Sequence, residues 1–272
     1  MIDDNTPRGD RLSVDLAEDV VVDVRSLSKE YRTGAGVTAA IGDVSFTVAR
    51  GEFVSIVGPS GAGKTTLLKC LSGLMPPTSG TVLFEGKVHK GVPSRLTLVF
   101  QDYSRSLFPW LTVESNITLP LRNKKVPRDE QRRRVKLMLE AVGLPDSGPR
   151  YPWQLSGGMQ QRVAIARALA YQPDCLLMDE PFASVDAQTR TDLEDLLLRL
   201  RSEFGITIVF VTHDIDEAVY LSDRVVALTQ SPCTVSDILH IGLPSPRDQL
   251  GTKALPEFAQ LRSRLFTLVR GQ

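Results

Sequence analysis

The 272-residue sequence predicts an α/β fold built on a mostly parallel central sheet. Three observations carry this expectation. Short, wholly apolar runs such as Cys175 to Met178 and Ile208 to Val211 alternate with longer segments of helical composition. Runs apolar at every position suit strands covered on both faces, as in a parallel sheet. A glycine-rich stretch, Gly58 to Thr65, joins one such run to a helical segment.

The elements follow in order. Residues 1–18 are polar, with interspersed Asp and Arg, and read as a flexible tail. Val20 to Val24, Val44 to Val48 and Phe53 to Val57 read as strands, and Ala62 to Leu71 as a helix. Thr81 to Phe84 and Leu96 to Phe100 are further short strands. The composition then turns charged and helical, and Arg128 to Val142 carries Val135, Leu137, Met138, Leu139 and Val142 among its charges. This reads as a helical subdomain, about 107–170, inserted into a domain spanning 19–245. Strand and helix then alternate again: helix Gly158 to Tyr171, strand Cys175 to Met178, helix Ala187 to Glu203, strand Ile206 to Val211, helix Ile215 to Leu221, strand Arg224 to Leu228. Residues 246–272 form a C-terminal extension, where Pro256 opens an amphipathic helix with Phe258, Leu261, Leu265, Leu268 and Val269 on one face.

Composition narrows the function classes. Lys+Arg and Asp+Glu both number 32, a balance that argues against a dedicated nucleic-acid binder. Cys70, Cys175 and Cys233 are widely spaced and read as free thiols in a reducing compartment. No run has the length of a transmembrane helix and the N-terminus carries no signal pattern, so a cytoplasmic protein is expected. The basic run Arg122, Lys124, Lys125, Arg128, Arg132, Arg133, Arg134 and Lys136 reads as a solvated helix face, with anionic lipid headgroups as the alternative neighbour.

Gly58, Pro59, Ser60, Gly61, Ala62, Gly63, Lys64 and Thr65 form a phosphate-binding loop of the Walker A pattern, set between strand and helix. Glycines let backbone N–H groups approach phosphate oxygens, and the helix N-terminus adds partial positive charge. Lys64 is expected to bridge the terminal phosphates of ATP, the Thr65 hydroxyl to ligate Mg²⁺, and Thr66 to contact the next phosphate inward. Cys175 to Pro181 is an apolar strand ending in two carboxylates. Asp179 is the candidate Mg²⁺ partner. Glu180, expected to face the other way by strand alternation, is the candidate base that polarises the attacking water.

Leu155-Ser156-Gly157-Gly158-Met159-Gln160-Gln161-Arg162 resembles the signature of ATP-binding-cassette ATPases. Here a serine and two glycines open a helix toward an anion. The resemblance covers about Val20 to Leu228 and implies the cassette fold of the phosphate-loop NTPases. That fold has an N-terminal antiparallel β part beside the mostly parallel sheet and an inserted α-helical subdomain. The family order then implies further roles. Gln101 is the Q-loop glutamine, reaching metal or water. Asp186 is the D-loop aspartate, preceded here by Ser184-Val185 where the family often has Ala-Leu. His213 is the switch histidine at the γ-phosphate, and Tyr31 the aromatic that stacks on adenine. Ser156, Gly157, Gly158 and Gln160 would hold the nucleotide bound to a second subunit.

The resemblance extends to the importers of nitrate, sulfonate, taurine and bicarbonate through Phe100 to Val113, Asp186 to Arg190 and His213 to Ala218. It implies an ATPase on the inner face of the cell membrane, paired with a second copy of itself or a related cassette. Its further partners would be transmembrane permease subunits and, indirectly, a solute-binding protein. Phe108-Pro109-Trp110-Leu111 either lines the permease socket, with Trp110 as anchor, or packs inside the insert. The competing class is a soluble cassette ATPase acting on nucleic acid or the ribosome. Repair relatives carry a long coiled-coil insertion and translation relatives two cassettes, and this sequence has neither. A phosphate-loop kinase would have no use for Leu155 to Gln160.

Overall fold

A computed structural model describes residues 19–34, 36–101 and 106–270; the tail expected over 1–18 and the segment 102–105 lie outside the described residues. The described strands form one sheet of ten in the order β5-β4-β1-β2-β10-β9-β3-β8-β7-β6. They are β1 (Val20–Thr33), β2 (Gly36–Ala49), β3 (Phe53–Val57), β4 (Ser79–Phe84), β5 (Lys87–Val88), β6 (Leu96–Val99), β7 (Cys175–Asp179), β8 (Thr207–Val211), β9 (Arg224–Leu228) and β10 (Cys233–His240). The sheet is mixed. The strands β9-β3-β8-β7-β6 run parallel, while β5-β4-β1-β2 pair antiparallel. The strand β10 joins the halves, antiparallel to β9 and parallel to β2.

The two halves differ in sequence because they differ in exposure. Every residue of β3, β7 and β8 is buried, which is why they read as continuous apolar runs. The strands β1 and β2 are each 14 residues, far longer than the apolar stretches at their ends. The alternating exposure of β2 from Asp43 onward is that of an antiparallel strand with one face in solvent. The strand β10 carries Thr234, Ser236 and Asp237, and so shows no apolar run.

Helix α1 (Lys64–Leu71) covers one face with Leu67, Leu68 and Leu71, packed with Val54 and Ile56 of β3. The other face of β3, Phe53 and Val57, belongs to the second core. That core includes side chains of α2 (Val113–Asn123), α3 (Arg128–Ala141), α4 (Gly157–Ala170), α5 (Ala187–Phe204), α6 (Ile215–Leu221) and α7 (Pro256–Arg270). Thr112 caps α2 by accepting from the Ser115 N–H. Gly205, at φ +62, ends α5 in the left-handed turn that favours glycine.

Helices α2, α3 and α4 lie between β6 and β7 in the chain. On α3, Arg132 pairs with Asp129, Arg133 and Arg134 with Glu130, and Lys136 with Glu140, as on a solvated helix face. The fully buried Asn116 accepts from the Phe108 N–H and donates to the Phe108, Leu111 and Thr112 carbonyls. That clamp leaves Trp110 70% exposed, its ring 5.4 Å from that of Phe108, so Trp110 is not a core residue of the insert. All three cysteines are free and buried. Among the described residues, no helix is long and apolar enough to cross a membrane.

Candidate functional site

The strand β3 ends at Val57 in the middle of the parallel strands, and Gly58 to Gly63 turn the chain into α1. Gly63 has φ +92, and a Cβ there would sit 2.8 Å from the Ala40 carbonyl oxygen, so backbone and space both call for glycine. No side chain caps α1, which leaves its first N–H groups to an anion. Lys64 is buried, and its Nζ donates to the carbonyls of Gly58 (2.9 Å) and Pro59 (3.0 Å). Burial lowers its pKa, against the opposing pull of Glu180 and Asp179. A partly desolvated ammonium held over a loop of backbone groups is suited to phosphate oxygens.

The end of β7, one strand beyond β8 from the loop, brings two carboxylates to it. The Thr65 hydroxyl donates to Asp179 Oδ1 at 3.4 Å, and burial raises the Asp179 pKa. Strand alternation does not carry on to Glu180. The strand β7 stops at Asp179, and Glu180 turns at φ +41 while its N–H donates to the Val211 carbonyl. A side chain in the left-handed region costs about 1–3 kcal/mol, the kind of strain that clusters at functional sites. The turn aims Glu180 back at the loop. Its Oε1 lies 4.0 Å from Lys64 Nζ and its Oε2 2.9 Å from His213 Nδ1.

Tyr31 reaches the same helix from β1, its hydroxyl 3.1 Å from Thr66 Oγ1 and 3.3 Å from Met75 Sδ. Tyr31, Lys64, Thr65, Thr66, Asp179, Glu180 and His213 are therefore linked into one cluster. Ser156, Gly157, Gly158, Gln160, Asp186 and Gln101 make no hydrogen bond to it among the described residues. Ser156 caps α4 by accepting from the Met159 N–H, and Gln160 donates to the Leu155 carbonyl. Asp186 caps α5 by accepting from the Thr189 N–H, and hydrogen bonding to the Thr189 side chain and then to its backbone lowers the Asp186 pKa. A Cβ on Gly158 would lie 2.3 Å from Thr189 Cγ2, so that glycine also serves the approach of α4 to α5. Gln101 is exposed and adjoins the segment outside the described residues.

The hydroxyl of Thr65 and the carboxylate of Asp179 are hard oxygen donors within one coordination sphere of each other, which fits Mg²⁺. Among the described residues no three His, Cys, Asp or Glu side chains gather as a metal cage.

Four residues beside the cluster were not singled out from the sequence. Arg190, Thr212, Asp214 and Glu217 line, with Glu180 and His213, a cavity of about 40 Å³. Burial pushes the Glu217 carboxyl up to about 7. The charged members occur in Asp186 to Arg190 and His213 to Ala218, stretches legible only as family resemblance.

The family described as "ABC transporter" matches residues 41–183. The nitrate import ATP-binding protein NrtD of Synechococcus elongatus is 43% identical over 241 residues, 87% of each chain. The aliphatic sulfonates import ATP-binding protein SsuB of Bacillus licheniformis is 40% identical over 242 residues, 89% of this chain and 91% of that one. A longer nitrate import protein of the Synechococcus species, NrtC, is matched over only 39% of its own length. Among solved structures, a dimeric ATP-binding cassette in a post-hydrolysis state bound to ADP and Pi superposes with TM-score 0.70 at 35% identity, covering 81% of this chain and 98% of that one. Phosphate loop, paired carboxylates, signature helix and these relatives converge, and the chain belongs to the ABC transporter family as an ATP-binding, ATP-hydrolysing subunit.

Proposed function

We propose that this subunit powers import of a small oxyanion, of the nitrate, sulfonate, taurine or bicarbonate class, through separate permease subunits at the inner face of the cell membrane. The observation that carries the chemistry is the convergence of Lys64, Thr65, Asp179, Glu180 and His213 on one loop. Lys64 and the N-terminus of α1 bind the phosphates of ATP. Thr65 and Asp179 hold Mg²⁺, which when bound neutralises phosphate charge. Glu180 orients a water and takes its proton, with His213 fixing the carboxylate and facing the terminal phosphate. Tyr31 offers its ring to adenine.

Ser156, Gly157, Gly158, Gln160 and Asp186 stand apart from this cluster, which supports a role across a dimer interface. Two copies, or this chain and a related cassette, would close over ATP and reopen once hydrolysis removes the bridging charge. Gln101 and the exposed Trp110 would connect that site to a permease. The oxyanion reading rests on the named activities of the relatives and on the resemblance in Phe100 to Val113.

The test is uptake by cells. A strain lacking this gene should lose ATP-dependent accumulation of at least one of labelled nitrate, bicarbonate, taurine or an aliphatic sulfonate. The parental gene should restore it and the Lys64→Ala variant should not. Full uptake of all four in the deletion strain would contradict the proposal.

A further inference from the structure

Arg190 lies on the first turn of α5, its backbone N–H bonded to the Asp186 carbonyl. Its side chain crosses to the loop that carries His213. There Nη1 donates to Asp214 Oδ2 at 3.3 Å, and Nε lies 3.5 Å from Glu217 Oε1. The Nε contact is one of charge only, because among the described residues that buried N–H is not aligned on any hydrogen-bond acceptor. Both carboxylates hold the loop itself. Asp214 caps α6 through the N–H groups of Asp216 and Glu217, and Thr212 donates to Glu217 Oε2 at 2.6 Å while accepting from the Asp214 N–H. His213 thus sits between two residues pinned on either side. Among the described residues three carboxylates, Asp214, Glu217 and Glu194, meet two cations here, Arg190 and Lys253, whose Nζ donates to Glu194 Oε2 at 3.2 Å. Without Arg190, Asp214 and the ionised form of Glu217, which appears as pH passes about 7, would repel across the base of the loop.

We propose that Arg190 is a positioning residue for ATP hydrolysis, fixing through Asp214 and Glu217 the loop that sets His213 against Glu180. The inference rests on the reading of Glu180 and His213 given above. It also links two parts of the chain. Arg190 and Asp186 share one helical turn, so a movement of Ser184 to Asp186 against a second subunit is transmitted to His213. The 40 Å³ cavity between Arg190 and Glu180 makes that geometry sensitive, since a displaced guanidinium opens the space behind the carboxylate.

The experiment compares the full-length parent with Arg190→Met, Arg190→Lys, Asp214→Asn and the Arg190→Met/Asp214→Asn pair. It reads kcat, KM for ATP and Tm, with Glu180→Gln as a control for the site. Arg190→Met is expected to lower kcat by about tenfold to a hundredfold, the scale of a slightly misplaced catalytic group. KM should stay within about threefold, because ground-state binding is untouched. Arg190→Lys should fall between parent and Arg190→Met, since an ammonium reaches one carboxylate but cannot fork to two. The double variant should lose little more than the worse single one. A parental kcat in Arg190→Met, or a loss confined to KM, overturns the proposal. Should Arg190→Met not fold, Arg190→Lys decides in the same way. Full turnover in Glu180→Gln would instead remove the site reading beneath it.

Discussion

His213 Nδ1 lies 2.9 Å from Glu180 Oε2, although 33 residues separate them and they leave neighbouring parallel strands. Two local features make the meeting possible. Glu180 turns out of β7 in the left-handed region, and the His213 loop is tied at Thr212 and Asp214 before α6 begins. The same turn puts Glu180 within 4.0 Å of Lys64, so one carboxylate faces both the loop lysine and the histidine.

Glu217 makes stability depend on pH. Its ordinary value is 4.5 and its folded value about 7, raised by burial against the Thr212 hydrogen bond. The folded state therefore holds a proton that the unfolded chain releases. The contribution of this group to stability is greatest below about 4.5 and falls as pH rises toward 7, where an ionised carboxylate stays buried. The loss from this group is on the order of 3 kcal/mol. In Glu217→Gln this pH slope should disappear. Thermal melts of both proteins between pH 5 and 8 should show the parent losing stability relative to the variant. A difference that does not change with pH would contradict this.

Tyr31 is held by Thr66 and Met75 at the helix that follows the phosphate loop. Tyr31→Ala should weaken ATP binding by about 1–3 kcal/mol, the range for stacking on a base. Tyr31→Trp should be tolerated, and Tyr31→Phe should lose only the hydroxyl contacts. Titration with a fluorescent ATP analogue, alongside melting, checks this. Parental affinity in Tyr31→Ala, or simple unfolding, would make Tyr31 a structural aromatic.

Trp110 is exposed while Asn116 clamps the loop around it. Trp110→Ala should leave Tm and the ATPase rate of the isolated subunit near parental values, since an exposed ring contributes little to the core. It should abolish co-purification with the permease, as loss of a buried aromatic anchor does. A strong drop in Tm with transport intact would place Trp110 in the fold and not in the interface.

Legibility in the sequence followed burial. The wholly buried β3, β7 and β8 were readable as apolar runs, and the phosphate loop as a glycine pattern between β3 and α1. The polar stretches of β1, β2 and β10 were not, because strands with a wet face or a place at a junction carry alternating or mixed residues. Glu180 was readable as a residue but not as a geometry. Strand alternation assumes extended backbone, and the left-handed turn at Glu180 breaks that assumption. Arg190, Asp214 and Glu217 were missed for a different reason. They meet across 24 to 27 residues of chain, and no local spacing announces such an ion-pair cluster. Trp110 was undecided because an aromatic beside helical segments reads equally as core or contact, and only the Asn116 clamp separates the two.

The most direct measurement compares Glu180→Gln with the parent for ATP turnover and for mass by light scattering, with and without Mg-ATP. The amide keeps the shape and the neighbours of Glu180 but accepts a proton poorly, and loss of a general base costs about 10²–10⁴ in rate. The expected result is a variant that binds ATP, turns over at a small fraction of the parental rate and accumulates as an ATP-dependent dimer. Near-parental turnover would remove Glu180 from the role of base. A slow variant that stays monomeric in saturating Mg-ATP would contradict closure of two subunits around the nucleotide.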